Sequence, residues 1–162
     1  MQTVMNRTKL VSFTPTLGTI AYTSADRLGS INTFDLDFSG ANAGEHAATL
    51  QEVRVFDAAV QSAAFDILFF DALPTVASAD NAAIDITDAE MLAKCIGHVS
   101  ILAADYCILA NSSIATKRVE KVLIPASGAQ ALWAVLVARG TPTYAADSLK
   151  ISLYYKFDQM KG

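Results

Sequence analysis

Between Leu149 and Phe157 the chain alternates without a fault: Leu149, Ile151, Leu153, Tyr155 and Phe157 on one side, Lys150, Ser152, Tyr154 and Lys156 on the other. A period of two belongs to an extended strand whose faces meet different surroundings, whereas a helix would scatter these apolar positions around its circumference. One such strand is not stable alone. It needs neighbours along its edges and an apolar layer beneath, so the rest of the chain has to supply a sheet and a second layer.

The remaining residues meet that demand. Phe34, Leu36 and Phe38 alternate with Thr33, Asp35 and Asp37. Leu50, Val53 and Val55 mark a strand from Ala48 to Phe56, and the break in step at Gln51-Glu52 predicts a bulge. From Ala63 to Phe70 one side carries Phe65, Ile67 and Phe69 and the other Leu68 and Phe70, with only Asp66 polar, which predicts a strand covered on both faces. Further strands are expected at His98–Leu102, Asp105–Leu109, Thr116–Ile124 and Gln130–Ala138, joined by turns such as Pro125–Gly128, and Ser39–Gly44 reads as a loop. One helix stands out, at 87–97. Thr87 and Glu90 form a capping box, Ile86 can staple onto Met91, Met91, Leu92 and Cys95 or Ile96 can pack, and Gly97 sits where a left-handed stop is wanted.

Many strands joined by short turns make the expected fold all-β: an antiparallel β-sandwich or jelly roll in a single domain over 27–162. The segment 1–26, rich in Thr and Ser and without a sustained period, reads as an N-terminal arm with one short strand around Thr19 to Thr23.

Composition narrows the function. Lys and Arg number 12, scattered, with a net charge of −4, so the clustered cationic face that neutralises phosphates is missing and no direct nucleic-acid binding is expected. The longest apolar run, Ala131 to Ala138, is far short of the ~20 residues that cross a bilayer, so no membrane partner is expected. No apolar stretch follows Arg7 and Lys9, hence no secretory leader is expected. Only 17% of residues are charged while 52% are apolar, which suggests that a partner covers part of the surface.

No residue constellation advertises a reaction. His46 and His98 lack companions at ligand spacing, and Cys95 and Cys107 read as small buried hydrophobes. Asp80, Asp85, Asp88 and Glu90 gather near the helix start, but turn chemistry explains Asp80 and the helix N-terminus explains Asp88 and Glu90 better than a calcium site does. No enzyme, metal or cofactor is expected. Phe65, Phe69, Phe70, Trp133 and Tyr155 read as core, while Tyr154, on the wet face with Lys150, Ser152 and Lys156, reads as an interface anchor.

Several segments resemble the head decoration, cement or auxiliary capsid proteins of tailed bacteriophages. They are AYTSADRLG at Ala21–Gly29, ILFFDALPT at Ile67–Thr75, DNAAIDITDAE at Asp80–Glu90, HVSI at His98–Ile101, ALWAVLVARGTPTY at Ala131–Tyr144 and the strand Leu149–Phe157. The resemblance implies a non-enzymatic jelly roll on the exterior of an icosahedral capsid, made in the host cytoplasm. Its implied partners are the major capsid protein and itself, commonly as a homotrimer. Arg7, Lys9 and Phe13 in the arm are then the expected shell contact, and Trp133, Tyr154 and Lys156 the expected subunit contact. A tail or fibre component is the alternative that the same architecture allows.

Overall fold

The computed structural model describes residues 7–38, 47–126 and 129–157; the expected Ser39–Gly44 loop and His46 lie outside them, as do the first part of the arm and the end of the Pro125–Gly128 turn. The described strands are β1 (Arg7–Phe13), β2 (Asn32–Asp35), β3 (Ala48–Asp57), β4 (Phe65–Phe70), β5 (Cys95–Ile101), β6 (Tyr106–Ile108), β7 (Ser113–Leu123), β8 (Ala131–Ala138) and β9 (Leu149–Phe157), with one helix, α1 (Asp88–Lys94), ahead of β5.

The pairing is nested. β1 lies antiparallel to β9, β2 to β8, β3 to β7 and β4 to β5, as though one long hairpin had been rolled up on itself. Rolling divides the strands into a five-stranded sheet, β1-β9-β3-β7-β6, and a four-stranded sheet, β2-β8-β4-β5. This is the jelly-roll order, with β6 added as an extra edge strand.

The alternating apolar positions fill the space between the sheets. Leu149, Ile151, Leu153 and Tyr155 of β9 face Phe65, Ile67 and Phe69 of β4 and Leu132, Ala134 and Leu136 of β8 in a single buried cluster. Phe34 joins the layers, stacking on Phe13 of β1 with ring centres 5.7 Å apart and meeting Phe69 edge-on at 6.2 Å.

The N-terminal segment departs from expectation. The strand expected around Thr19 to Thr23 lies instead at Arg7–Phe13, where it forms the edge of the five-stranded sheet. Leu17 and Tyr22 are buried in the same core as the sheets, and Tyr22 is closed over by Asp80. Asp80 is more than a turn residue: its carboxylate accepts from the Gly18 N–H at 2.9 Å, the Gly29 N–H at 2.6 Å and the Tyr22 hydroxyl at 2.8 Å. Burial, and then the neighbouring Asp80 carboxylate, push the Tyr22 hydroxyl well above its ordinary range, so it donates as a neutral phenol.

The helix starts where expected and ends early. Thr87 Oγ1 accepts from the Glu90 N–H at 3.2 Å, but α1 stops at Lys94 and none of its residues is buried; Leu92 is 91% exposed. Gly97 is not a helix stop. It pairs with Phe69 inside β5 beside a register shift, at φ 148°, and a Cβ there would sit 3.0 Å from Lys121 Nζ.

Candidate functional site

The outer face of the five-stranded sheet is built by residues two apart on each strand, and the registers align them in rungs. Thr116 of β7, Arg54 of β3, Ser152 of β9 and Ser12 of β1 form one. Arg118, Glu52, Tyr154 and Leu10 form the next, and Val122, Thr49, Lys156 and Thr8 the one beyond. Between the last two rungs both ladders of β3 slip, between Leu50 and Glu52. The bulge expected at Gln51-Glu52 is therefore present. It opens a shallow depression of about 570 Å³, lined by Gln51, Glu52, Arg54, Arg118, Glu120 and Tyr154 among others.

The middle of this face is a preassembled clasp. Arg54 Nη1 donates to the Tyr154 hydroxyl at 2.9 Å, and Nη2 reaches Glu52 Oε1 at the same distance. The guanidinium carbon sits 4.8 Å from the centre of the Tyr154 ring. Three side chains from two strands are thus held flat against the sheet by a planar fork, an arrangement Lys in place of Arg54 would not reproduce. Arg118, Lys150 and Lys156 have no ion pair among the described residues, in contrast to Arg54.

The residues singled out from the sequence are dispersed. Tyr154 and Lys156 share the face just described. Trp133 stands half-buried on the outward side of β8 in the other sheet, opposite Thr33 and Phe70, so the structure does not bring it together with Tyr154. Phe13 is 9% exposed and stacked in the core, and so is not a contact residue on the folded chain. Lys9 pairs with Asp37 at 2.6 Å, and the Asp37 N–H donates to the Tyr155 hydroxyl at 2.7 Å, which ties β1 and β9 to the chain beyond β2. Burial raises the Tyr155 hydroxyl above its ordinary value despite that bond. Arg7 pairs in register with Phe157. Cys107 is exposed rather than buried and Cys95 is half-buried; both thiols are free.

Arg54, Glu52 and Arg118 were not singled out from the sequence. The signal was available: once Gln51-Glu52 is read as a bulge, Arg54 falls on the outward face in step with Tyr154, whose strand is the most regular in the chain. Elsewhere Glu90 accepts from Lys94 and from the Thr75 N–H, and those bonds hold its carboxyl below the usual range. No group of three or more His, Cys, Asp or Glu able to hold a metal occurs among the described residues, and no helix among them is long and apolar enough to cross a membrane.

No protein-family model matches this chain, and no curated protein matches it. Among solved structures, a chain of the Israeli acute paralysis virus full particle is 12% identical, with 98% of this chain and 76% of that one covered and a TM-score of 0.34. A chain of Desmodium yellow mottle tymovirus is 10% identical, with 97% and 85% covered and a TM-score of 0.26. Likeness at these scores assigns neither a family nor a function.

Proposed function

We propose that this chain is a structural protein of a virus particle: a decoration or cement protein on the exterior of a tailed-phage head, bound to the major capsid protein and assembled as a homotrimer. The observation that carries the reading is the nested pairing of β1 with β9 through β4 with β5. That is the jelly roll, an architecture used in viral shells, and here it is built from segments whose wording resembles phage auxiliary capsid proteins. The same architecture serves lectins and cupins; the segment wording is what favours the virion.

Cementing is mass action. A subunit that binds the expanded shell and not its precursor lowers the free energy of the expanded state by about 2.7 kcal/mol per site at a free concentration a hundredfold above Kd. Contributions from many sites add, so each contact can be modest.

The test is the stoichiometry of this protein in purified virions, measured against the major capsid protein by quantitative mass spectrometry. A ratio between roughly one to three and one to one supports a shell-wide lattice. A few copies per particle would move the protein to the tail or a fibre, and absence from the particle would overturn the reading.

A further inference from the structure

We propose that the outer face of the five-stranded sheet is the docking surface of this chain and that its occupant is an acidic protein surface. Carboxylates of that surface would be taken by Arg118 and Lys156 on either side of the Arg54–Glu52–Tyr154 clasp. The identity of the partner as the capsid shell rests on the function proposed above; the chemistry of the face does not.

Charge comes first. The face carries Arg54, Arg118, Lys150 and Lys156 against Glu52 and Glu120, a net charge of +2 on a chain whose net charge is −4. The rest of the molecule is correspondingly acidic, so this face is where an acidic partner is attracted and other approaches are repelled. Arg118 and Lys156 are also uncommitted among the described residues, while Arg54 already has Glu52 and Tyr154.

The same charge disfavours two other occupants, a second copy related by a twofold axis and a nucleic acid. Two copies meeting through this face about a twofold axis would set +2 against +2. A nucleic-acid backbone offers only phosphates, whereas Glu52 and Glu120 interrupt the cations here. Geometry adds a spacing. Arg118 on β7 and Lys156 on β9 are separated by β3 and stand on successive rungs, about 10 Å across the sheet and about 7 Å along it, so they lie about 12 Å apart. That is close to the span of carboxylates about four residues apart, which share one face of an extended segment of the partner.

The experiment uses the full chain and the charge reversal Arg118→Glu with Lys156→Glu. Both side chains point off the sheet, and thermal melting verifies that the variant folds. Binding is measured to isolated heads lacking this protein and to poly-L-glutamate beads, across a salt series. The expected result is salt-sensitive binding of the wild type to both, weakened about 30-fold or more in the variant at ~0.1 M salt. Equal binding of variant and wild type to heads overturns the docking face and leaves the decoration reading standing. Wild type that ignores heads but holds poly-L-glutamate through Arg118 and Lys156 sustains the face and overturns the decoration reading. Salt-sensitive self-association of the wild type, lost in the variant, makes a second copy the occupant and overturns the acidic-partner assignment, as does preferential capture of duplex DNA.

Discussion

Asp80→Ala should be among the most damaging polar substitutions in this chain. Its carboxylate is the common acceptor for three donors, the Gly18 and Gly29 N–H groups and the Tyr22 hydroxyl, and so fastens residues 18–29 to the loop before α1. Hydrogen bonds to an ionised group contribute roughly 1.5–3 kcal/mol each, which sets an upper range of about 4.5–9 kcal/mol for the three. Two features lower it. Asp80 is half-buried, so water can reach some of the released donors, and the Gly18 N–H keeps the Tyr22 hydroxyl as a second acceptor at 2.8 Å. The expected loss is therefore about 3–5 kcal/mol. That is a large share of the roughly 5–15 kcal/mol that holds an ordinary domain together. In urea the midpoint should fall by about 1.5–2.5 M with an unchanged slope near 2 kcal/mol/M, and the melting temperature should fall by about 6–20 °C. A cycle with Tyr22→Phe isolates one bond, and the two changes together should cost at least ~1 kcal/mol less than their sum. A loss under ~1 kcal/mol for Asp80→Ala, or strict additivity with Tyr22→Phe, would refute the clamp.

Three other perturbations test the structure elsewhere. Gly29→Ala places a Cβ 2.5 Å from the Thr16 carbonyl oxygen at φ 73°, so it should destabilise by about 2 kcal/mol or more, read as a drop of at least ~4 °C in melting temperature. Burial pushes the Asp105 carboxyl up, but the Leu102 N–H and the Lys117 ammonium outweigh it and hold the group below its ordinary 3.8. Its contribution is thus complete above pH ~4 and lost as the pH falls through the lowered value; Asp105→Asn should flatten the acid limb of a stability–pH curve, and an unchanged limb would count against the Lys117 pairing. Burial raises the Tyr106 and Tyr144 hydroxyls above their ordinary 10, so the unfolded chain ionises first and stability should fall above pH 10 by up to about 1.4 kcal/mol per pH unit for each; Tyr106→Phe with Tyr144→Phe should reduce that slope in alkaline urea titrations, leaving the share of Tyr22 and Tyr155.

How much of this was legible depends on whether local or distant contacts decided it. Strand β9 was legible to the residue because Leu149, Ile151, Leu153 and Tyr155, two apart along it, all meet the core. The bulge was legible because two polar residues in succession cannot both alternate. Thr87 was legible because a cap is local chemistry. β1 was not, and its polarity explains why: Lys9 shares the inward-facing parity of Val11 and Phe13, whereas Leu10, 54% exposed, faces outward with Thr8 and Ser12. Only pairing with β9, far along the chain, makes that segment a strand. The helix end was misread for a related reason. Gly97 is suited to a helix stop, but its place opposite Phe69 in the sheet decided its role. Tyr154 lies on an outward face as the alternation indicated, whereas Trp133, which its period-two position marked as core, stands half-buried on the outward side of the other sheet; alternation does not say which sheet a strand joins, and the two faces are opposite.

That opposition bears on where a partner can sit. On the outward side of the four-stranded sheet, Phe70, Val135 and Val137 lie outside the inter-sheet cluster and yet are at most 1% exposed. The chain's own segments cover that part of the outward side, Arg27 being bridged to Val137, while Leu68 and Trp133 beside it stay half-buried. The five-stranded sheet has no such cover among the described residues: Arg54, Arg118 and Leu10 are exposed, and Phe56, 41% exposed, lies on the same side. Residues 7–17 of the segment expected to reach a shell are meanwhile drawn into the fold, with Phe13 and Leu17 in the core and Lys9 held by Asp37. A partner that met the chain through those residues would have to undo native contacts first. Docking on the open sheet requires no such unfolding, because its central clasp is formed before the partner arrives.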